Sequence, residues 1–153
     1  MVARQARIDD ADRIIKMYEE LYVHLTDSGF SYDPDIEHIR NSLPSQIQSK
    51  LYLILVAEQD GETIGFLSAC LHRADRKFKS SLIGVVNDIF VYPGQRGKSA
   101  GAMLVREAES WMCENGAQSV QCNVVAGNSS ALTFWRNHGY ADAVIITSKS
   151  LKD

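Results

Sequence analysis

The stretch "VVNDIFVYPGQRGKSAGAML", residues 85–104, constrains the chain more than any other part of it. An apolar run of strand length meets a turn holding Gly94, Gly97 and Gly101, and a helical pattern follows at once. A turn of this kind presents unpaired backbone N–H groups at the positive end of a helix dipole, so it is suited to hold an anion. Its centre, "GKS", is the tail of the nucleotide-binding pattern G-x-x-x-x-G-K-[ST], but the position where the first glycine belongs is Tyr92. That departure makes an ATPase-type P-loop the weakest of the phosphate-binding readings.

The helical pattern runs from Ser99 to Asn115, with Ala100, Met103, Leu104, Ala108, Trp111 and Met112 on one face and Arg106, Glu107, Glu109 and Glu114 on the other. "SVQCNVV" then reads as a strand, which makes the strand at Val86–Val91, the turn, the helix and this strand a βαβ unit. Upstream, "VARQARI" alternates as a short strand. Asp9 is placed to cap a helix carrying Ile14, Ile15, Tyr18, Leu21, Tyr22 and Leu25, and Asp33–Pro34 to start a second, whose end Pro44 weakens. "LYLILVAE" and "TIGFLSACL" flank a turn at Asp60–Gly61 as hairpin partners, and "LIGVVNDIFV" extends the meander. After the βαβ unit, Asn128 caps a short helix through "SSALTFWRNH", and "YADAVIITSKSL" reads as a final strand. The order β-α-α-β-β-β-α-β-α-β predicts an α+β fold with a mixed central sheet flanked by helices.

The 153 residues fit a single domain spanning 1–153, since no repeat, low-complexity tract or linker divides them. No apolar run is long enough to span a bilayer and no signal-peptide pattern opens the chain, so a cytoplasmic protein is expected. Cys70, Cys113 and Cys122 show neither disulfide nor metal-ligand spacing, and no metal site is expected. A net charge of −3 argues against nucleic acid as a partner, and the one basic cluster, "HRADRKFKSS" at 72–81, reads as a solvated loop.

The order of elements and two segments together resemble the GNAT acyl-CoA N-acyltransferases, over essentially the whole chain. "VYPGQRGKSAGAML" is similar to that family's V-x-P-x-x-R-G-x-G-[IA]-G-x-x-L, in which backbone amides of the turn hold the pyrophosphate of acetyl-CoA. The resemblance assigns this role to Arg96, Gly97, Lys98, Ser99, Ala100, Gly101 and Ala102, with Ser99 standing where the family usually has glycine. "NSSALTFWRNHGY" is similar to N-x-x-A-x-x-[FLY]-Y-x-x-x-G-[FY] and implies cofactor contacts from Asn128, Ala131 and Trp135. Asn128 as an ordinary helix cap is compatible with that. Trp135 occupies the place of a tyrosine that often protonates the leaving thiolate, and an indole has no such proton to give.

An amine acceptor must lose a proton to attack a thioester, and Asp88, on a mostly apolar strand, is the candidate base acting through water. Asn87 is a weaker candidate for orienting that water, and Asp88 as a satisfied structural carboxylate is the competing reading. The resemblance also implies that backbone N–H groups near Phe90 and Val91 polarise the thioester oxygen. The expected function is direct transfer of an acetyl group from acetyl-CoA to a primary amine in a ternary complex. A catalytically weak acyl-CoA-binding module of the same fold is the alternative, motivated by Ser99 and Trp135. Acidic residues at 19–37 would suit a cationic amine, although they also suit a solvated face. Both a monomer and a homodimer are compatible with the sequence.

Overall fold

A tight hairpin sets the frame. Asp60 and Gly61 take φ of 52° and 80°, the two left-handed positions of a type I′ turn, and join β2 (Tyr52–Gln59) to β3 (Glu62–Arg73). The computed structural model in which this is seen describes residues 1–30, 33–74, 82–149 and 151. Most of the basic stretch 72–81 therefore lies outside the described residues.

β4 (Leu82–Val91) pairs antiparallel with β3, and β1 (Val2–Gln5) pairs antiparallel with β2. α3 (Ala100–Glu114) then crosses over to β5 (Ser119–Cys122), which lies parallel to β4 and gives the order β1-β2-β3-β4-β5. The mixed sheet and the βαβ unit are as the sequence predicts. α1 (Ala11–Asp27) and α2 (Ile36–Gln48) bury Ile14, Ile15, Met17, Leu21 and Leu43 against Ile54, Val56, Phe66 and Phe90 on one face of the sheet. α3 and α4 (Ser129–Asn137) cover the other face, where Leu104, Val105, Ala108 and Met112 meet Leu53, Leu55, Leu67 and Val86. The sheet is thus buried on both sides, so β2 reads as a continuous apolar run instead of an alternating one.

Three boundaries differ from the sequence expectation. The first helix is not capped by Asp9. A 3₁₀ turn at Ile8–Asp10 precedes α1, because the Arg4 guanidinium takes the Asp10 carboxylate in a fork at 2.8 and 3.0 Å while Arg7 N–H donates to it at 2.7 Å. α2 starts later than Pro34: the Asp35 side chain accepts from His38 N–H at 2.8 Å, and the helix runs on through Pro44 to Gln48, with Leu43 pinned in the core. The predicted final strand does not form. Among the described residues, 141–149 pair with no strand, and Val144, Ile145 and Ile146 are 79–86% exposed. An apolar β-branched run alone does not make a strand; it needs an edge, and the outer edge that β5 offers is only four residues long.

Candidate functional site

The site is built where β4 outruns β5. Their parallel register covers Ile83–Val86 against Ser119–Cys122 and stops there, while β4 continues to Val91. "SVQCNVV" is therefore a shorter strand than its pattern suggests, and the chain after Cys122 departs from β4. Among the described residues, no strand lies beside Asn87–Val91 on the side of β4 away from β3.

The direction of each amide in that stretch follows from the ladder. Tyr92 N–H donates to Ile64 O at 3.1 Å across β3, so in an antiparallel pair Phe90 also turns its backbone groups toward β3. The close approach of Phe90 O to Gly65 agrees, since a Cβ there would meet it at 2.6 Å. Val91 N–H and Ile89 N–H consequently face the open side. Of the two amides expected to polarise a thioester, the ladder leaves Val91 for the role and engages Phe90. Ile89 joins it, a residue the sequence did not single out because amide direction depends on register.

The glycine turn follows at the end of β4. Gly97 and Ser99 both sit in the left-handed region, at φ 76° and 70°, and alternate with Lys98 to form a concave run of backbone leading into α3. Ser99 O accepts from Met103 N–H at 2.9 Å as the first helical bond, and the amides of Ala100, Gly101 and Ala102 belong to the helix's first turn, which has no intrahelical partners. Arg96 is held beneath the turn, its Nε donating to Val91 O at 2.9 Å with the guanidinium 5.9 Å from the Phe90 ring centre. Lys98 is exposed, with Nζ 3.2 Å from Gln95 Oε1. A left-handed cradle, an open helix start and two cations suit a pyrophosphate, so the residues present fit acetyl-CoA.

Asn128 caps α4 as expected: its Oδ1 accepts from Ala131 N–H at 3.1 Å and from Ser130 Oγ at 3.0 Å. Its Nδ2 has no hydrogen-bond partner among the described residues, which leaves an amide donor for a ligand acceptor. Ala131 lies on the partly buried face of α4. Trp135 is in the core instead, 6% exposed, with its ring edge-to-face against Phe134 and Tyr140 at 5.3 and 4.7 Å. Its ring packs within the core, so a cofactor contact from it would be limited to the small part left accessible.

Asp88 hangs from β4 on the α1 face, beside Phe90 and opposite Ser68. The bulge that shifts the register between Ser68 and Ala69 places Asn87 out of the ladder and exposed, where Cys70 Sγ lies 3.8 Å from its Oδ1. Asp88 Oδ2 accepts from Ser68 Oγ at 3.0 Å and from Tyr18 Oη at 3.2 Å. Its Oδ1 has no partner among the described residues. Burial pushes the carboxyl above the ordinary aspartate range, and the two hydroxyls hold it partly back. Its carboxyl is thus a better proton acceptor than an ordinary surface aspartate. Sequence spacing could not show it, because Tyr18, Ser68 and Asp88 come from three elements.

Residues 14–140 match the model of the Acetyltransferase (GNAT) family. An uncharacterized N-acetyltransferase of Archaeoglobus fulgidus is 30% identical over 135 residues, covering 88% of this chain and 89% of its own. The uncharacterized N-acetyltransferase YhfO of Bacillus subtilis is 28% identical over 145 residues, covering 93% and 91%. Among solved structures, AAC(6')-Iy in complex with a CoA-S-monomethyl-acetylneamine bisubstrate analogue superposes with a TM-score of 0.76 at 20% identity, over 97% of each chain. With a family match over most of its length, the chain belongs to the GNAT family and is an acetyl-CoA-dependent acetyltransferase.

Proposed function

We propose that the protein moves an acetyl group from acetyl-CoA directly to a primary amine, with Asp88 as base. The observation that carries this is the stretch of β4 beyond Val86, which brings the phosphate cradle, the outward amides of Ile89 and Val91, and Asp88 onto one strand and its turn. The amides of Arg96–Ala102 and the two cations hold the pyrophosphate. Val91 and Ile89 N–H donate to the thioester oxygen as it gains charge, which is the largest single aid that such donors give. The amine nitrogen forms its bond to the carbonyl carbon, the C–S bond breaks, and the amine's proton passes through water to Asp88.

The leaving thiolate needs no tyrosine. A thiol has a pKa of about 8.5, so the thiolate departs near neutrality without protonation. Tyr140 does not substitute for the missing acid, because its hydroxyl donates to Glu109 Oε1 at 2.8 Å and burial raises its pKa. A covalent acyl step on Cys122 is disfavoured as well: burial pushes its thiol up to about 11. Glu19, Glu20 and Asp27, which with His24 and Val23 line a shallow depression of about 340 Å³ on α1, make the outer face of that helix acidic, on the side away from Tyr18 and Asp88. That AAC(6')-Iy was solved with a CoA-S-monomethyl-acetylneamine analogue supports an amine-bearing acceptor.

Thiol release from acetyl-CoA across a panel of polyamines, aminoglycosides and lysine peptides tests the proposal. Asp88→Asn is expected to lose about 10²–10⁴-fold in kcat/KM with acetyl-CoA affinity unchanged. An unaltered rate would remove Asp88 as base, and radiolabel left on the protein after single-turnover mixing would overturn direct transfer. One observation, tryptophan at the acid position, favours a weakly active binding module as a second reading. Tight acetyl-CoA binding with release no faster than hydrolysis for every amine would support it.

A further inference from the structure

The carboxylate of Asp88 is held asymmetrically, and the asymmetry has a chemical use. Each neighbouring hydroxyl has one proton to donate, and the anionic oxygen is a stronger acceptor than either hydroxyl. The Tyr18 Oη to Ser68 Oγ contact of 3.2 Å therefore brings the two donors together without using up their protons, and both are directed at Oδ2. Neither donor is free to wander. Tyr18 is 5% exposed, its ring packed on Phe66 at 4.5 Å and stacked on Tyr22 at 6.3 Å, and Ser68 is 3% exposed in the middle of β3.

We propose that Tyr18 and Ser68 are positioning residues for the base: together they saturate Oδ2 and leave Oδ1 as the single oxygen of Asp88 open to accept the acceptor's proton. The inference rests on Asp88 being the base and adds what sets its geometry and basicity. One rotamer of the carboxylate is fixed by donors from α1 and β3, so the proton-accepting lone pairs have one direction instead of two. The donors also favour the ionised form and so moderate the effect of burial. Tyr22, on the next turn of α1, is the other titratable group facing this carboxylate. Its own pKa is raised, first by burial and then by the Asp88 charge, so it stays neutral throughout the working range.

The test reads Asp88 directly. In protein with ¹³C-carboxyl aspartate, the signal absent from Asp88→Asn identifies the residue, and its titration is followed in the parent, in Tyr18→Phe and in Ser68→Ala. Loss of either donor is expected to move the midpoint upward by about one pH unit, since bonds of 3.0–3.2 Å lie at the weak end for a charged acceptor. The acid limb of kcat/KM should move with it, giving about a tenfold loss on that limb and little on the plateau. Midpoints that stay put in both folded variants overturn the inference, whatever the activity. A midpoint that moves while the rate limb does not supports the placement of the carboxylate and refutes Asp88 as base. If Tyr18→Phe fails to fold, Ser68→Ala decides alone.

Discussion

Replacing Ser99 by glycine should make this protein more stable. Ser99 stands at φ 70° and ψ 0°, and its side chain makes no capping bond that would compensate for the left-handed backbone. An L-residue there costs about 1–2 kcal/mol through the approach of Cβ to its own carbonyl. Glycine removes that strain but enlarges the freedom of the unfolded chain, which returns about 0.4–1 kcal/mol to the unfolded state. The net gain is about 0.5–1 kcal/mol, equivalent to a rise of about 2 °C in Tm for a domain of this size. Calorimetric scans of the two proteins without ligand provide the measurement. Acetyl-CoA affinity should change by less than about threefold, because the Ser99 N–H is kept and the helix still begins at Ser99 O. A Tm that stays level or falls would show that the serine hydroxyl makes a compensating bond, and the strain argument would be wrong.

Three further outcomes follow from the geometry. A side chain at Gly101 starts with its Cβ 3.2 Å from Phe134 Cε2, so Gly101→Val should crowd the first turn of α3, lose about 1–3 kcal/mol and weaken acetyl-CoA binding at least about tenfold; unchanged binding by a folded variant would misplace the cradle. The raised carboxyl of Asp88 means that the folded chain holds this proton above the unfolded value of about 3.9, so stability falls as pH rises through that window. Asp88→Asn should therefore be the more stable protein at pH 7 in urea titrations, with the difference closing as pH falls below the unfolded value; equal stability at both ends would contradict the burial penalty. With a disulfide reagent at pH 8, exposed Cys113 should react at least about tenfold faster than Cys122, whose thiol is pushed up to about 11, and the reverse order by mass spectrometry would refute it.

What the sequence made legible is what local rules govern. The Asp60–Gly61 hairpin, the Asn128 cap and the strand–turn–helix that ends in the cradle each rest on a few neighbouring residues, and each is present. Ser99 was visible as a departure from the family pattern, but only its φ shows what the glycine was for. Other features depend on distant partners. The 3₁₀ turn ahead of α1 exists because Arg4 on β1 reaches Asp10, and no spacing rule within the helix signals it. The amide of Ile89 faces outward because of a ladder parity fixed by Tyr92 and Ile64. Trp135 matched a catalytic position by alignment of types and turned out to be core, because its ring is enclosed by Phe134 and Tyr140. Residues 141–149 carry the β-branched run Val144, Ile145 and Ile146 that suits a strand, yet pairing is a property of two segments.

The short union of β4 with β5 has a consequence for how the molecule assembles. β2, β3 and β4 form a meander of sequence neighbours, whereas β5 reaches β4 only after the whole of α3 has been laid across the sheet, and only four residue pairs reward that closure. Closing a long loop for a small return places this step late in folding and, like the equally short β1–β2 ladder, among the first to open. Amide exchange should accordingly be faster at Val120 and Gln121 than at Val56 and Leu67, and acetyl-CoA should slow it at β5. The cofactor would then steady one of the two weakest seams of the sheet.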